Sequence, residues 1–518
     1  MKKLSIILMS ALMLLITAQC KKKTDVVTSG SELGGTRTIT LKVSDDDSKL
    51  SVNPNTGAVG FTSGDVIYAA YNGVYAGTLT HNGSDFKGDI NTSGAADGAK
   101  LTFYFLGNKT PNESLSGATS LSVSIFDQTE NYPVISAGLS NEDYSSSVDT
   151  YTATLLNKCA LVKFNVTNSS TYAPTIITGV NDKVTVTFSA GAAGTFANSK
   201  DRGAVKLASG NGERWAILLP QEASGIGAAY SEDLRYNGTH SSIPTVMDNG
   251  YLTNGIDVTV SNALSGFTVA SETVRFFAPG NLQYIGSAST PYWKFADNQY
   301  DCIGTAQGNS NENADRDLFG WGTSGYDGKY PYMTSTTNSN YTDGTNANIT
   351  GTNYDWGVYN SSNITNGYGK SWYTLASWGH VLTSRSASTI NGTADARFGR
   401  CTVAGRYGIM IFPDTFTWPV SVAAPTAENI NGTGAVSIGT YTAADWTLLE
   451  ANGAVFLPAA GGRDGTSVDG FGSRGDYWST SAIGTVNAYR LVFNSDGLWY
   501  TADYHGRYYG LAVRLVCE

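Results

Sequence analysis

The stretch "LWYTADYHGRYYGLAVRLV", Leu498 to Val516, concentrates the side chains best able to do chemistry in this chain. Trp499, Tyr500, Tyr504 and Tyr508 offer large amphipathic contact area at low rotamer cost, and Asp503, His505 and Arg507 add directional hydrogen bonds and charge. That mixture is the composition of paratopes and binding hot spots. With Asp476 and Arg490 from the preceding segments it forms a candidate ligand-binding set. The chemistry it points to is recognition. The alternative for each ring is packing between strands with its hydroxyl satisfied locally.

Reactive constellations are missing from the sequence. The four histidines, His81, His240, His380 and His505, stand in no HExxH-like spacing, and no GxSxG elbow occurs. Glycine-rich stretches such as "DGTNANITG" have no lysine or strand-to-helix setting to cradle a phosphate. "FPDTF" places Pro413 before Asp414 without the preceding acid or amide of a calcium-dependent sugar site. His505, beside Gly506, reads as a surface contact and not a metal ligand. No catalytic residue, metal or cofactor is expected. Beyond Cys20, the cysteines Cys159, Cys302, Cys401 and Cys517 are far apart and form no CxxC pair. They read as buried free thiols, with an occasional disulfide as the alternative in an exported protein.

The elements that must position such a face follow from the pattern. At 518 residues the chain is too long for one core. With 59 Gly, 30 Tyr and only 15% charged residues, it favours short strands and tight turns over long helices. From 36 to 262 strand-sized runs succeed one another: "RTITLKV", "KLTFYFLGN", "ALVKFNV", "KVTVTFS", "RWAILLP" and "IDVTVSN". In "GDVIYAAYNGVYAGTLTHNG" an Asn-Gly pair marks a hairpin. These runs predict β-sandwich lobes. From 263 to 518 the style changes to dense aromatics and glycines, and two helices are expected. One lies in "SWYTLASWGHVLTSR", with Trp372, Leu375, Trp378, Val381 and Leu382 at helical spacing; the other is in "TAADWTLLEANGAVFLP", from a Thr442 cap to Asn452-Gly453. The expected fold is a mainly β N-terminal sandwich of two lobes followed by an α+β domain.

The N-terminus, "MKKLSIILMSALMLLITAQC", has a basic start, an apolar run too short to span a membrane, and small residues before Cys20. Residues 1–20 therefore read as a secretory signal. "LITAQC" resembles the lipobox of bacterial lipoproteins, which implies acylation of Cys20, although Gln19 departs from the usual small residue. Residues 21–35 form a polar tether. The expectation is a lipid-anchored outer-membrane protein at the cell surface. A net charge of -10 with no basic run beyond "CKKK" argues against nucleic-acid partners.

"LSVNPNTGAVGFTSGDVIYAAYNGVYAGTLT", "FYFLG", "CALVKFNV" and "ERWAILLPQE" resemble the fimbrillin-like lipoproteins related to type V pilins. That resemblance implies two β-sandwich lobes, pilin-type subunits as partners, and proteolytic processing at an arginine, for which Arg37 in "GGTRTITLKV" is the candidate. From about 266 onward, "FFAPGNLQY", "DLFGWGTSGYDGKYPY", "GTNYDWGVYN" and "GDYWSTSAIGTVNAYRLVFNSDG" resemble C-type-lectin-fold domains of the formylglycine-generating-enzyme-like group, including proteins diversified by retroelements. It implies paired first and last strands and a displayed, variable ligand face on a surface adhesin, whose ligand is a protein or a glycan. Gly510, Leu511, Val513, Arg514 and Val516 would be frame, Arg514 paired with an acid beneath the platform. A structural pilin and a formylglycine-generating catalyst are the competing readings; the second needs a cysteine pair, and Cys401 and Cys517 stand in no paired motif.

Overall fold

The structure, a computed structural model, describes residues 35–43, 61–93, 97–308, 313–333 and 346–518. The signal segment, Cys20 and nearly all of the tether lie outside the described residues.

The first lobe is a ring of strands. Val66–Tyr71 and Val74–His81 are joined as the Asn-Gly pair predicts, with Asn72 at φ 49° and Gly73 at φ 78°, the left-handed conformation a two-residue hairpin requires. An eight-stranded sheet closes on itself where Lys100–Leu106 pairs with Ile135–Asp143, so this lobe is a closed ring and not two open sheets. Closure removes the exposed edges that an open sandwich must protect. Thr36–Val43 is internal to the ring, antiparallel to Phe86–Asn91 and parallel to Thr150–Ala153. Its alternation turns Ile39 and Leu41 into the core beside Phe103, Phe105 and Tyr151; each such burial stabilises by roughly 1.5–3 kcal/mol.

The second lobe is a seven-stranded sheet with Ala204–Leu207 and Gly212–Leu218 at its edges and Ala160–Asn168 paired with Tyr251–Ala263 inside it. A three-stranded sheet ties the later chain to the first lobe: Ser120–Ser124 pairs with Lys183–Ser189, which pairs on its other side with Ala192–Ser199, and Val184, Val186 and Phe188 enter the first lobe's core.

Beyond Ala263 the chain builds a head of several small sheets. Its first hairpin, Phe267–Ala270 with Thr273–Phe277, meets the last strand of the head, since Thr273–Phe277 pairs with Leu515–Cys517, Phe276 opposite Cys517. Of the two expected helices, Ala443–Ala451 forms as read, with Thr442 and Asp445 in a reciprocal capping box and Gly453 at φ 92° just beyond its end. The other does not. Trp372, Leu375 and Trp378 are all buried, but Tyr373–Thr374 is a strand paired with Leu515–Cys517, and only Gly379–Thr383 is helical. The Asp355 carboxylate accepts from the Thr374 backbone N–H and hydroxyl, which holds that segment extended. The burial period that mimicked a helix comes from residues flanking a short strand and capping a short helix, with Trp372 in one core cluster and Leu375 and Trp378 in another. A further short helix, Trp356–Asn360, has Asp355 as its cap.

Head and second lobe share a buried polar joint. Glu450 accepts from the Tyr230 hydroxyl at 2.9 Å and the Gln299 amide at 2.9 Å, with Arg202 at 3.7 Å. Arg202 also lies 3.7 Å over the Phe126 ring. Burial pushes the Glu450 carboxyl up from its ordinary range, against the pull of Arg202. Arg514 reaches the same network through Gln299. Its expected acid partner is not there: its guanidinium donates to Asn281, Gln299 and the carbonyls of Ala278 and Phe456. Burial without a contacting carboxylate lowers it to about 10. Arg514 is frame, satisfied by carbonyls and amides.

Candidate functional site

The C-terminal face stands on a six-stranded sheet whose long pair is Gly475–Ile483 with Asn487–Phe493. Leu498–Trp499 and Tyr504–Gly506 both pair with Asn487–Phe493, one at each end. Three buried tryptophans lock the sheet from below through their ring N–H groups: Trp478 to the Phe319 carbonyl, Trp378 to that of Trp478, and Trp321 to that of Ser479.

Of the predicted contact residues, Trp499 and Tyr504 are the most exposed, at 46% and 50%. They stand on the two short strands that flank one partner. The Trp499 ring lies over Gly497, where a Cβ would fall 2.8 Å from its edge. Tyr508, Tyr509 and His505 are half-buried and stacked: His505 on Tyr509 at 3.9 Å and Tyr508 against Tyr509 at 4.5 Å. Gly506 is needed beneath them, since its Cβ would lie 2.5 Å from the Tyr508 ring. Tyr500 is half-buried and leans on Phe398 at 6.4 Å.

An ion network underlies these rings. Arg490 donates through Nη1 to Asp476 at 2.7 Å and through Nε to Asp503 at 2.8 Å. Arg474 donates through Nε to the other Asp476 oxygen at 2.7 Å and pairs with Asp469 at 3.1 Å. Burial raises the Asp476 carboxyl, and Arg490 and Arg474 oppose that rise. Burial, Arg490 and Arg474 together lower His505 to about 4, so its ring is neutral and suited to stacking on Tyr509.

Two of the predicted contacts are corrected. Asp476 is fully buried and serves as the anchor of the two arginines. Arg507 is fully buried as well; it donates to the carbonyls of Asn487 and Gly484 and stacks 4.3 Å over Trp321. Neither reaches the surface. Arg490 spends its charge on Asp503 and Asp476, and Asp503 pairs with Arg490, which makes both positioning residues for the exposed rings. Alternation in the sequence could not reveal this, because Gly506, the bulge between Trp478 and Ala482, and the turn at 507–510 break the face periodicity.

The exposed aromatic surface is also wider than the sequence reading. Tyr326, Tyr330 and Tyr359 are exposed, and Tyr326 meets Tyr354 and Tyr359 edge-on at 5.2 and 5.5 Å. The Trp321 backbone N–H donates to the Arg507 carbonyl, which ties the start of this loop to the C-terminal segment. The density of tyrosine in "GYDGKYPY" was the available signal.

Arg37 is half-buried in its strand and pairs with Asp149 at 2.5 Å while donating to the Ser145 carbonyl. Cleavage after it requires the strand to open first. All four described cysteines are free. Cys401 packs with Trp446 and Phe456, and Cys517 belongs to a different cluster with Trp372 and Trp478. Burial pushes the Cys159 thiol up to about 12 and Cys517 to about 11.

No protein-family profile and no curated protein matches the chain. Among solved structures, it is similar to a protein assigned to cell adhesion from Bacteroides uniformis, at 10% identity over 43% of this chain and 96% of the other, TM-score 0.26. The fimbrial anchor protein Mfa2 from Porphyromonas gingivalis aligns at 10% identity over 38% and 78%, TM-score 0.21. A fimbrial protein from Bacteroides ovatus aligns at 11% identity over 94% and 100%, TM-score 0.21. Scores this low do not establish a shared fold.

Proposed function

We propose that the chain is a cell-surface adhesin of fimbrial type, anchored in the outer membrane through lipid on Cys20, whose head binds a protein or glycan without chemistry. The observation that carries this reading is the placement of Trp499 and Tyr504, the exposed rings of the C-terminal face, on short strands held by the Asp476–Arg490–Asp503 network. Large aromatic surface held rigid before docking loses little entropy on binding. Recognition is supported over formylglycine-type chemistry by the separation of Cys401 and Cys517 into different cores, and by burial that holds both thiols protonated. A lectin-type head with a sequence-variable face belongs to the same proposal, as does a place at a pilus tip.

The test is capture by the full mature chain on a glycan array and a panel of purified cell-surface proteins. Trp499→Ala with Tyr504→Ala is expected to cut capture at least tenfold with the melting temperature unchanged. Equal capture by variant and wild type refutes the assignment.

A second reading, a polymerising subunit, is favoured by one observation. The N-terminal strand Thr36–Val43 is an internal strand of the ring, antiparallel to Phe86–Asn91 and parallel to Thr150–Ala153; cleavage after Arg37 would cut inside it and make residues 38–43 a new N-terminal segment, whose withdrawal would leave two unpaired edges for another chain to fill. Fibres seen by electron microscopy after trypsin treatment, and lost in Arg37→Gln, are the expected outcome; a monomer under every protease condition overturns it.

A further inference from the structure

A cavity of about 240 Å³ opens on the second lobe, lined among others by Lys163, Ser241, Ser242, Tyr251, Asn254 and Asp257 and by no residue of the head. It forms where Tyr251–Ala263 runs parallel to Ala160–Asn168 and the register shifts between Val162 and Phe164. Such a bulge aims a side chain out of the sheet's regular row. Gly255, at φ 73°, permits the close approach that shapes the wall, since a Cβ there would lie 2.5 Å from the Asn165 amide nitrogen.

The lining is amphipathic and pre-set. Tyr251 is 57% exposed, and its ring stacks on Trp215 at 5.6 Å and 13°, which fixes one flat aromatic wall. The Ser241 N–H donates to the Asp257 carbonyl, and the Asn165 amide donates to the Asp257 carboxylate at 2.9 Å. Buried His240 bonds to the carbonyls of Ser241 and Thr178, at 2.8 and 2.9 Å. Lys163 is held by Glu213 at 2.8 Å. The lining therefore combines one aromatic wall with hydroxyl, amide, carboxylate and ammonium groups supported by a second layer of bonds.

From this we infer that the cavity is a carbohydrate site accepting a single hexopyranose unit. A pyranose has an apolar C–H face that packs on an aromatic ring and an equator of hydroxyls that both donate and accept, and the lining supplies partners for both. The volume lies below the roughly 300–1,000 Å³ of pockets for drug-sized ligands, which limits the occupant to one sugar ring.

Saturation-transfer NMR on the full mature chain with D-glucose, D-galactose, D-mannose and N-acetyl-D-glucosamine, each alone, tests the site. Transfer to at least one sugar is expected, with at least a tenfold loss of affinity in Tyr251→Ala, a smaller loss in Asp257→Asn, and retention in Tyr251→Phe, which keeps the ring face. Tyr251 is exposed enough that Tyr251→Ala folds, which a circular-dichroism melt checks. All of these measurements are made in the Trp499→Ala, Tyr504→Ala background, which removes any sugar held by the head's face, so that transfer lost on adding Tyr251→Ala belongs to the cavity. Absence of transfer from all four sugars, or wild-type transfer in Tyr251→Ala, overturns the inference.

Discussion

Arg490 decides whether the C-terminal face is pre-organised. Arg490→Ala removes two charge-assisted bonds, to Asp476 at 2.7 Å and to Asp503 at 2.8 Å. The Asp476 side chain is 0% exposed, but it keeps Arg474 at 2.7 Å. Breaking a buried pair outright costs about 3–5 kcal/mol, and the retained arginine reduces that to about 2 kcal/mol. Asp503 is 26% exposed and regains water, adding no more than about 0.5 kcal/mol. The total is about 2–2.5 kcal/mol. Urea denaturation would read it as a lower midpoint at unchanged slope. Arg490→Lys does not rescue, because one ammonium cannot reach both carboxylates in the fixed geometry of a guanidinium fork. In ligand capture, Arg490→Ala weakens binding although its head group touches no ligand, because the 504–506 strand loses its tie. A destabilisation below about 0.5 kcal/mol, the usual size for an ordinary surface substitution, or full rescue by lysine, would refute the reasoning.

Other outcomes follow from single observations. His505, lowered to about 4 in the folded chain, stays neutral at pH 5.5; its stabilising contribution is complete above the unfolded value near 6.5 and is lost as pH falls toward 4. An NMR titration of its ring protons reads this, and a midpoint near 6.5 contradicts it. Glu450→Ala strands Tyr230, Gln299 and Arg202 in the joint between head and second lobe, at a cost of about 3–5 kcal/mol in calorimetric or urea unfolding. Gly506→Ala forces the Tyr508 ring from its place, and ligand capture falls while the far-ultraviolet circular dichroism is unchanged. Thr442→Ala removes the capping box of the 443–451 helix and destabilises by about 1 kcal/mol in urea.

Where the pattern was local, it was legible. The Asn72-Gly73 hairpin, the alternation of Ile39 and Leu41, and the helix from Thr442 to Gly453 each follow from residues within one turn or one strand, and each is present. The second expected helix does not form because its segment takes its conformation from partners far away in sequence: Tyr373 pairs with Val516, and Asp355 holds Thr374. The link from Trp321 to Arg507, which ties the loop before Tyr326 to the C-terminal segment, was illegible for the same reason.

By itself the sequence determined that the chain is strand-rich and carries a segment of sticky aromatics and charges between Leu498 and Val516. Composition and short-range periodicity suffice for those properties. Only the tertiary structure decided which of those charges face outward. Asp476 and Arg507 were displayed on paper and are buried in the fold, because an aspartate that neutralises two arginines and a guanidinium that serves carbonyls must leave water together with their partners. Those partners, Arg490, Arg474, Gly484 and Asn487, are set by strand pairing and turns, so local sequence alone could not assign them.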